Sequence, residues 1–462
     1  MSDDQPTLSE MLPHKKVIKG VAITAVAAIL SIVLYNILPY DSNANKGIAL
    51  LLFIAILWFT EAVHITVTAL MIPVLGVAIG IPELSTKKAL STFADPIIFL
   101  FFGGFALATA LHVQQLDKKI AFWLISLSGS HLGVATMSIF GVTAFLSMWI
   151  SNTATAAMML PLALGMMQHL DKTKDRNTFV FILLGIAYSA SIGGLGTMVG
   201  SPPNAIASAA LDLDFTGWME YGLPMMLVLL PVMLLSMFIV LRPRLNQKVV
   251  VTTEVIPWTL SRVITLIIFL ATAIAWISGS YIGKTFGISS PDTWVAVLAA
   301  VAVILFGAAT WKQVSDGTDW GVLLLFGGGL TLSALLKDSG ASLVLGQQVA
   351  NTFGTSHPFV IIVIVTIFII ALTEFTSNTA SAALLVPVFA SIAAQMGMPK
   401  EVLVLVIGIG ASCAFMLPVA TPPNAIVFGS GLIKQREMIN AGLVLNIFCV
   451  AVISLWAYFF LL

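Results

Sequence analysis

Long apolar stretches separated by short polar connections recur along almost the whole of this chain. A helix needs about 20 mainly apolar residues to cross a bilayer, and eleven stretches fit that pattern. They predict eleven membrane-spanning helices, with ends defined to about four residues. The predicted spans are 19–40, 47–62, 64–80, 95–114, 178–209, 220–241, 258–279, 289–310, 321–336, 401–430 and 438–461.

Two further apolar stretches, 132–168 and 357–395, are too long for one span and too short for two. Each carries a polar Ser-Asn-Thr triplet near its middle, at 151–153 and at 377–379. Ser, Asn and Thr are favoured N-caps, so a second helix should begin at each triplet. We therefore predict two re-entrant helical hairpins, whose tips must be buried in protein or face a water-filled cavity.

Segments 115–130 and 337–355 are amphipathic and predict helices lying along the membrane surface. The polar start of the chain predicts a cytoplasmic tail before a retained first helix, because no small-residue cleavage site follows the first apolar run. The predicted fold class is an all-α polytopic membrane protein with eleven transmembrane helices plus two re-entrant helical hairpins and two broken helices.

Paired motifs indicate that the chain is a duplicated unit. The triplet at Ser151 recurs 226 residues later at Ser377, and Pro-Pro-Asn at 202–204 recurs 220 residues later at 422–424. A Phe-Gly-Gly motif at 102–104 likewise recurs 224 residues later. Three motifs in one order at nearly one offset predict two structural repeats.

The repeats have predicted boundaries and opposite orientations. Residues 1–46 form the tail and the first helix, 47–241 the first repeat, 242–257 a cytoplasmic linker and 258–462 the second repeat. Each repeat contains five spans, an odd number, so the two copies are inverted in the membrane.

The distribution of basic residues predicts the orientation. With the N-terminus in the cytoplasm, fifteen of the 21 Lys and Arg residues fall on the cytoplasmic side, as the positive-inside rule requires. The C-terminus is then outside. The first hairpin opens from the cytoplasm and the second from the exterior.

Composition supports a membrane protein and excludes several functions. Hydrophobic residues make up 59% of the chain and charged residues only 9%, against about 25% charged in soluble domains. The net charge of zero gives no case for a nucleic-acid partner. Cys413 and Cys449 lie in apolar stretches without metal-ligand spacing and are expected in the core. No catalytic triad, metal cluster or nucleotide loop is visible, so an enzyme is not expected.

The Pro-Pro-Asn motifs should split spans 178–209 and 401–430 into half-helices, because proline breaks a helix. Carbonyls freed at such a break can coordinate a cation. The N–H groups at the start of the following half-helix attract an anion. Recurrence by inverted symmetry favours this interpretation over a simple kink.

Charge is missing from all four polar motifs. An anionic substrate would meet only neutral donors and helix ends there, so cations must bind with it, and sodium suits neutral hydroxyl, amide and carbonyl oxygens. Intramembrane charge is usually functional. Glu374, three residues before Ser377, is expected to serve helix-terminal electrostatics or an ion pair rather than proton coupling.

These residues resemble the divalent anion/sodium symporter family, which includes the sodium-coupled dicarboxylate transporters. The most specific match is the run from Ser412 to Val427, together with the paired triplets. The resemblance implies a homodimer in the bacterial inner membrane, whose spans one to four and seven to nine form a static scaffold. The hairpins and broken spans would then carry substrate by an elevator motion.

The resemblance also implies the site residues, including at least two sodium sites. The first sodium site would use Ser147, Ser151, Asn152 and the backbone of Gly200, and the second Thr373, Thr376, Asn378 and the backbone of Ala420. The substrate would contact Asn152, Thr153, Asn378 and Thr379, in a cavity also lined by Ser201, Pro202, Thr421 and Pro422.

The expected function is sodium-driven symport of C4 dicarboxylates such as succinate, fumarate or malate, with membrane lipid as the surrounding partner. Sulfate, citrate or another polyvalent anion is the alternative substrate. A sodium/proton antiporter is a further alternative, although it usually needs a titratable carboxylate at the unwound crossing. A channel would not need hairpins reaching in from both sides.

Overall fold

The computed structural model describes residues 8–126, 131–168, 170–171, 173–248, 254–353 and 356–462. Within these ranges every regular element is an α-helix or a 3-10 turn. The start of the predicted tail (1–7), part of the predicted linker (249–253) and the ends of the two predicted surface segments (127–130 and 354–355) lie outside the described residues.

The α-helices are numbered α1 to α22 in chain order. They are α1 (Leu8–Ile37), α2 (Ser42–Thr60), α3 (Ile65–Ala78), α4 (Thr86–Ser91), α5 (Pro96–Val113), α6 (Leu116–Ser126), α7 (Leu132–Ser147), α8 (Asn152–Met167), α9 (Arg176–Gly193), α10 (Pro202–Leu211), α11 (Phe215–Leu241), α12 (Leu260–Ile277), α13 (Gly279–Phe286), α14 (Pro291–Leu305), α15 (Trp311–Gly317), α16 (Trp320–Asp338), α17 (Ala341–Phe353), α18 (Pro358–Thr373), α19 (Asn378–Gln395), α20 (Lys400–Gly410), α21 (Pro422–Gly429) and α22 (Gln435–Phe460).

An integral membrane protein is the class that these helices establish. In the described ranges nine helices are long and apolar enough to cross a membrane, or up to ten if α13 and α14, bent by 97°, count as one span. The predicted span 64–80 forms α3, which has only 14 residues. Shorter elements thus replace some of the eleven continuous spans, and the count of eleven stays a prediction.

The two predicted helix breaks are confirmed. After α9, two 3-10 turns (Gly194–Gly196 and Met198–Gly200) precede α10, which begins at Pro202. After α20, an irregular segment of residues 411–421 precedes α21, which begins at Pro422. Proline is tolerated at the first helical position because its missing N–H has no intrahelical partner there. The motif therefore ends one half-helix and starts the next.

Helices α9 and α20 form the centre of the molecule. Every residue from Thr178 to Gly193 is buried, as is every residue from Val402 to Gly410. A helix that is apolar on all sides belongs in a core rather than at a lipid surface. The two broken helices are therefore enclosed by the rest of the chain.

The two repeats interlock through their short helices. Helix α10 of the first repeat packs against α19 and α20 of the second, and α21 of the second packs against α8 and α9 of the first. Each half-helix that follows Pro-Pro-Asn therefore contacts the arms of the other repeat. This exchange brings all four polar motifs to one place.

The Phe-Gly-Gly motifs serve close helix packing. A Cβ at Gly103 of α5 would overlap the backbone and side chain of Ala296 in α14. A Cβ at Gly328 of α16 would lie 2.6 Å from the Cβ of Ala69 in α3. Small residues allow helices in membranes to approach closely. Matching glycines thus join matching helix pairs in the two repeats.

Replacing Gly103 by Ala should lower the unfolding temperature, because the added methyl group forces α5 and α14 apart at a cost of about 1–3 kcal/mol. The measurement is thermal unfolding of the purified protein in detergent. Gly141, exposed in the middle of α7, is the matched control, because a methyl group added there would have no neighbour within 4 Å. Gly141→Ala should leave the unfolding temperature unchanged or raise it. Equal effects of both substitutions would contradict the packing argument.

Candidate functional site

The Ser-Asn-Thr triplets cap helices in both repeats. Ser151 Oγ accepts a hydrogen bond from the backbone N–H of Ala154 at 3.2 Å, and Ser377 Oγ accepts one from Ala380 at 3.4 Å. Helices α8 and α19 accordingly begin at Asn152 and Asn378. The expected N-caps are confirmed, and they aim both asparagine side chains away from the helix body.

The asparagines of the Pro-Pro-Asn motifs hold the unwound segments in shape. Asn204 Nδ2 donates to the carbonyls of Gly194 and Thr197 at 2.7 and 2.8 Å. Asn424 Nδ2 donates to the carbonyls of Ala414 and Leu417, both at 3.0 Å. Buried carbonyls need partners, and these amides supply them. Only part of the freed backbone oxygen therefore remains for a ligand.

A cluster of oxygens surrounds the side chain of Asn152. Ser147 Oγ lies 2.6 Å from Asn152 Oδ1 and 2.7 Å from the carbonyl oxygen of Ala190. The same amide position lies 3.1 Å from the Ala190 oxygen and 3.2 Å from the Gly200 oxygen. With Nδ2 turned inward the amide donates to all three oxygens. With Oδ1 turned inward, four neutral oxygens converge, which is the donor set that a hard cation prefers.

The second repeat contains a matching cluster. Thr373 Oγ1 lies 2.6 Å from Asn378 Oδ1 and 2.9 Å from the carbonyl oxygen of Ala411. These three residues stand where Ser147, Asn152 and Ala190 stand in the first repeat. Sequence reasoning missed both alanine carbonyls, because alanine carries no chemical signal. Their position at the end of the helix before each break could have indicated them.

Both clusters adjoin one cavity of about 600 Å³, a size common for small-molecule sites. Of the fourteen residues predicted for the sites, all but Ser147 and Thr373 line this cavity, and those two are buried behind the asparagines. The twelve lining residues are Ser151, Asn152, Thr153, Gly200, Ser201, Pro202, Thr376, Asn378, Thr379, Ala420, Thr421 and Pro422.

Thr376 lines the cavity, but its hydroxyl has other partners. Thr376 Oγ1 lies 2.7 Å from Ser381 Oγ and donates to the carbonyl of Leu372 at 2.9 Å. The described contacts thus tie it to α18 and α19 rather than to the cluster at Thr373. Ser151 likewise uses its hydroxyl as an N-cap.

Charge on the cavity wall is entirely acidic among the described lining residues. Glu61 and Asp319 are the charged members, and Lys, Arg and His are absent from that set. Both carboxylates belong to turns, between α2 and α3 and before α16. An anion in the cavity would therefore find N–H groups, hydroxyls and amides, with no cationic side chain.

Large apolar side chains complete the wall, and sequence reasoning missed them. Phe375 and Val419 are 76% and 82% exposed and line the cavity. Trp149 and Val199 occupy the corresponding positions of the first repeat and line it as well. Because their apolar character matched the surrounding spans, no pattern distinguished them from core residues.

The cavity opens on the side of the α2–α3 turn and of Asp319. A Cβ at Gly20, in the first half of α1, would overlap the carbonyl of Ala62 in that turn. The opening thus lies on the side of the membrane-spanning body where α1 begins.

Glu374 lies behind the second unwound segment and is 2% exposed. Its carboxylate accepts hydrogen bonds from backbone N–H groups and from Asn446, and it forms no ion pair in the described part of the chain. The expected ion pair is therefore not present among these residues, and helix-end and backbone electrostatics remain.

Comparison with protein families gives a match over nearly the whole chain. The family model described as the sodium:sulfate symporter transmembrane region matches residues 14–461. An uncharacterized transporter of Haemophilus influenzae is 56% identical over 440 residues, covering 94% of this chain and 95% of that protein.

Two further relatives carry a functional name. The sodium-dependent dicarboxylate transporter SdcS of Staphylococcus saprophyticus is 33% identical, covering 91% of this chain and 87% of its own length. SdcS of Staphylococcus aureus is 32% identical, covering 90% of this chain and 86% of its own length. These relatives are transporters, and the chain is not an enzyme.

A solved structure shares the fold at low sequence identity. The YdaH transporter of Alcanivorax borkumensis has a TM-score of 0.60 at 12% identity, covering 86% of this chain and 99% of its own. So low an identity limits this likeness to architecture. Family model, relatives and helical fold agree, and the chain is a member of the sodium:sulfate symporter family of sodium-coupled membrane transporters.

Proposed function

We propose that this protein imports C4 dicarboxylates such as succinate, fumarate or malate together with sodium. The observation that carries the proposal is a cavity without basic lining residues in the described chain, flanked by two matching oxygen clusters. A dianion cannot be held in low-dielectric surroundings without compensation. Sodium bound at the two clusters supplies that compensation.

The cavity offers a binding group for each part of the substrate. Asn152 and Thr153 donate to one carboxylate, and Asn378 and Thr379 donate to the other. The N-terminal ends of α10 and α21 add partial positive charge. Trp149 and Phe375, one from each repeat, suit the hydrocarbon between the carboxylates.

Specificity for dicarboxylates follows the named relatives, whose sodium-dependent transport of dicarboxylates is stated in their names. Sulfate is the second candidate, because the family description names it. A cavity of about 600 Å³ favours the longer dianion, since sulfate cannot reach both repeats at once. Glu374, the buried carboxylate, is not among the lining residues, which disfavours a sodium/proton antiporter.

Alternating access completes the proposal. With the N-terminus in the cytoplasm of a bacterial cell, the cavity opens inward. Helix pairs α7–α8 and α18–α19 act as re-entrant hairpins. Together with the two broken helices they move as a transport domain against a static scaffold, in a homodimer surrounded by lipid.

Uptake of labelled succinate into proteoliposomes should require an inward sodium gradient. Potassium or a proton gradient should not replace it, because the clusters contain only neutral oxygens. Unlabelled fumarate and malate should compete more strongly than sulfate or citrate. Succinate uptake that is indifferent to sodium would reject the coupling, and stronger competition by sulfate would reassign the substrate.

Asn152→Ala and Asn378→Ala should each reduce sodium-dependent succinate uptake by at least about tenfold, since each removes a ligand of charged species. The measurement is initial uptake rate at equal reconstituted protein, after size-exclusion chromatography has verified folding. Asn440, exposed on α22, is the matched control, and Asn440→Ala should transport normally. Normal transport by both cavity variants would reject the site.

Orientation can be tested by cysteine labelling, because Cys413 and Cys449 are buried and replaceable. In a cysteine-free background, Asp319→Cys should react with a membrane-impermeant maleimide in inside-out vesicles but not in intact cells. Lys87→Cys, at an exposed site before α5, should react in intact cells. The reverse pattern would invert the proposed topology.

A further inference from the structure

The unwound segment of the second repeat is fastened by a buried carboxylate. Glu374 Oε1 accepts from the N–H groups of Phe415 and Met416 at 2.7 and 3.0 Å, and Oε2 accepts from Met416 and Leu417 at 3.1 Å each. Asn446 Nδ2 donates to Oε1 at 2.7 Å. Three consecutive backbone donors and one amide thus converge on one side chain.

The corresponding place in the first repeat is apolar. By the offsets of the two motifs, Met148 stands where Glu374 stands, and Met226 stands where Asn446 stands. Both methionines pack against Gly196, the counterpart of Met416, with Met226 Sδ 2.9 Å and Met148 Cε 3.0 Å from a Cβ placed there. The repeats therefore differ at the same point of the same scaffold.

The carboxylate is ionised in this arrangement and lies beside the second oxygen cluster. Each described partner of Glu374 is a donor, and the ionised form is the one with acceptor sites only. Its neighbour in sequence, Thr373, contributes a hydroxyl to the cluster, and the segment that Glu374 fastens begins at Ala411, which contributes a carbonyl. No cationic side chain pairs with it in the described chain.

We infer that Glu374 is a positioning residue that makes the two cation sites unequal. It holds the backbone of the second unwound segment and adds a fixed negative charge beside the second cluster, which the first cluster lacks. The second site therefore binds sodium more tightly and fills at lower sodium concentration than the first. This inference rests on the proposed sodium coupling.

The experiment measures the sodium concentration that gives half of the sodium-dependent rise in unfolding temperature, with choline chloride keeping ionic strength constant. A ligand that binds only the folded state stabilises it in proportion to its occupancy. Asn152→Ala leaves the second cluster as the functional one, and Asn378→Ala leaves the first. We expect the half-saturating concentration to be about tenfold lower in Asn152→Ala than in Asn378→Ala, the size that Coulomb's law gives for one unit charge at the effective dielectric constant of proteins.

Glu374→Gln should raise the half-saturating sodium concentration about tenfold when combined with Asn152→Ala. Combined with Asn378→Ala it should change that concentration by less than about threefold. Met148→Gln, the same side chain at the mirrored position, is the matched control and should not weaken sodium binding at the second cluster. The two double variants separate a local charge effect from a general loss of stability.

A lower unfolding temperature with an unchanged sodium midpoint would reduce Glu374 to a structural role and overturn the inference. If Glu374→Gln does not fold, the pair Met148→Glu with Met226→Asn transfers the arrangement to the first repeat. It should lower the half-saturating sodium concentration in the Asn378→Ala background at least threefold, and no change would overturn the inference. Absence of any sodium effect in the unaltered protein would instead reject the proposed function.

Discussion

Backbone groups inside a membrane must find partners within the protein, and this requirement shapes the whole molecule. Helices α9 and α20 are interrupted in the middle of a fully buried environment, which frees carbonyl and N–H groups far from water. Asn204 and Asn424 satisfy carbonyls of the two interruptions. Because such segments cannot face lipid, the surrounding helices have to enclose them. The enclosed space then becomes the place where a solute can be bound.

Interlocking of the repeats follows from the same requirement. Neither broken helix can be covered by its own repeat alone, and each half-helix after Pro-Pro-Asn is covered by the arms of the other. Tyr188 of the first repeat donates to the carbonyl of Phe415 in the second at 2.7 Å. The two oxygen clusters consequently adjoin a single cavity, so cations at both sites act on one substrate. Coupling between cation and anion binding needs this proximity.

Symmetry of the backbone does not require symmetry of the side chains. A methionine pair suffices where Gly196 leaves room, whereas the second segment, with Met416 at that position, is fastened by Glu374 and Asn446. Buried charge is costly unless it is fully hydrogen-bonded. Four donors meet that condition here. An inverted duplication can thus hold two similar sites of different electrostatic strength.

The sequence by itself determined the membrane class, the duplication, the two helix breaks and the N-caps, because proline, serine and apolar length act through local geometry. It also indicated most of the cavity wall, since the polar triplets had to be enclosed. Only the tertiary structure decided which groups meet. The carbonyls of Ala190 and Ala411, the donors around Glu374 and the exposed Phe375 depend on how α10 and α21 cross between the repeats. Those contacts join residues distant in the chain, and no local pattern encodes them.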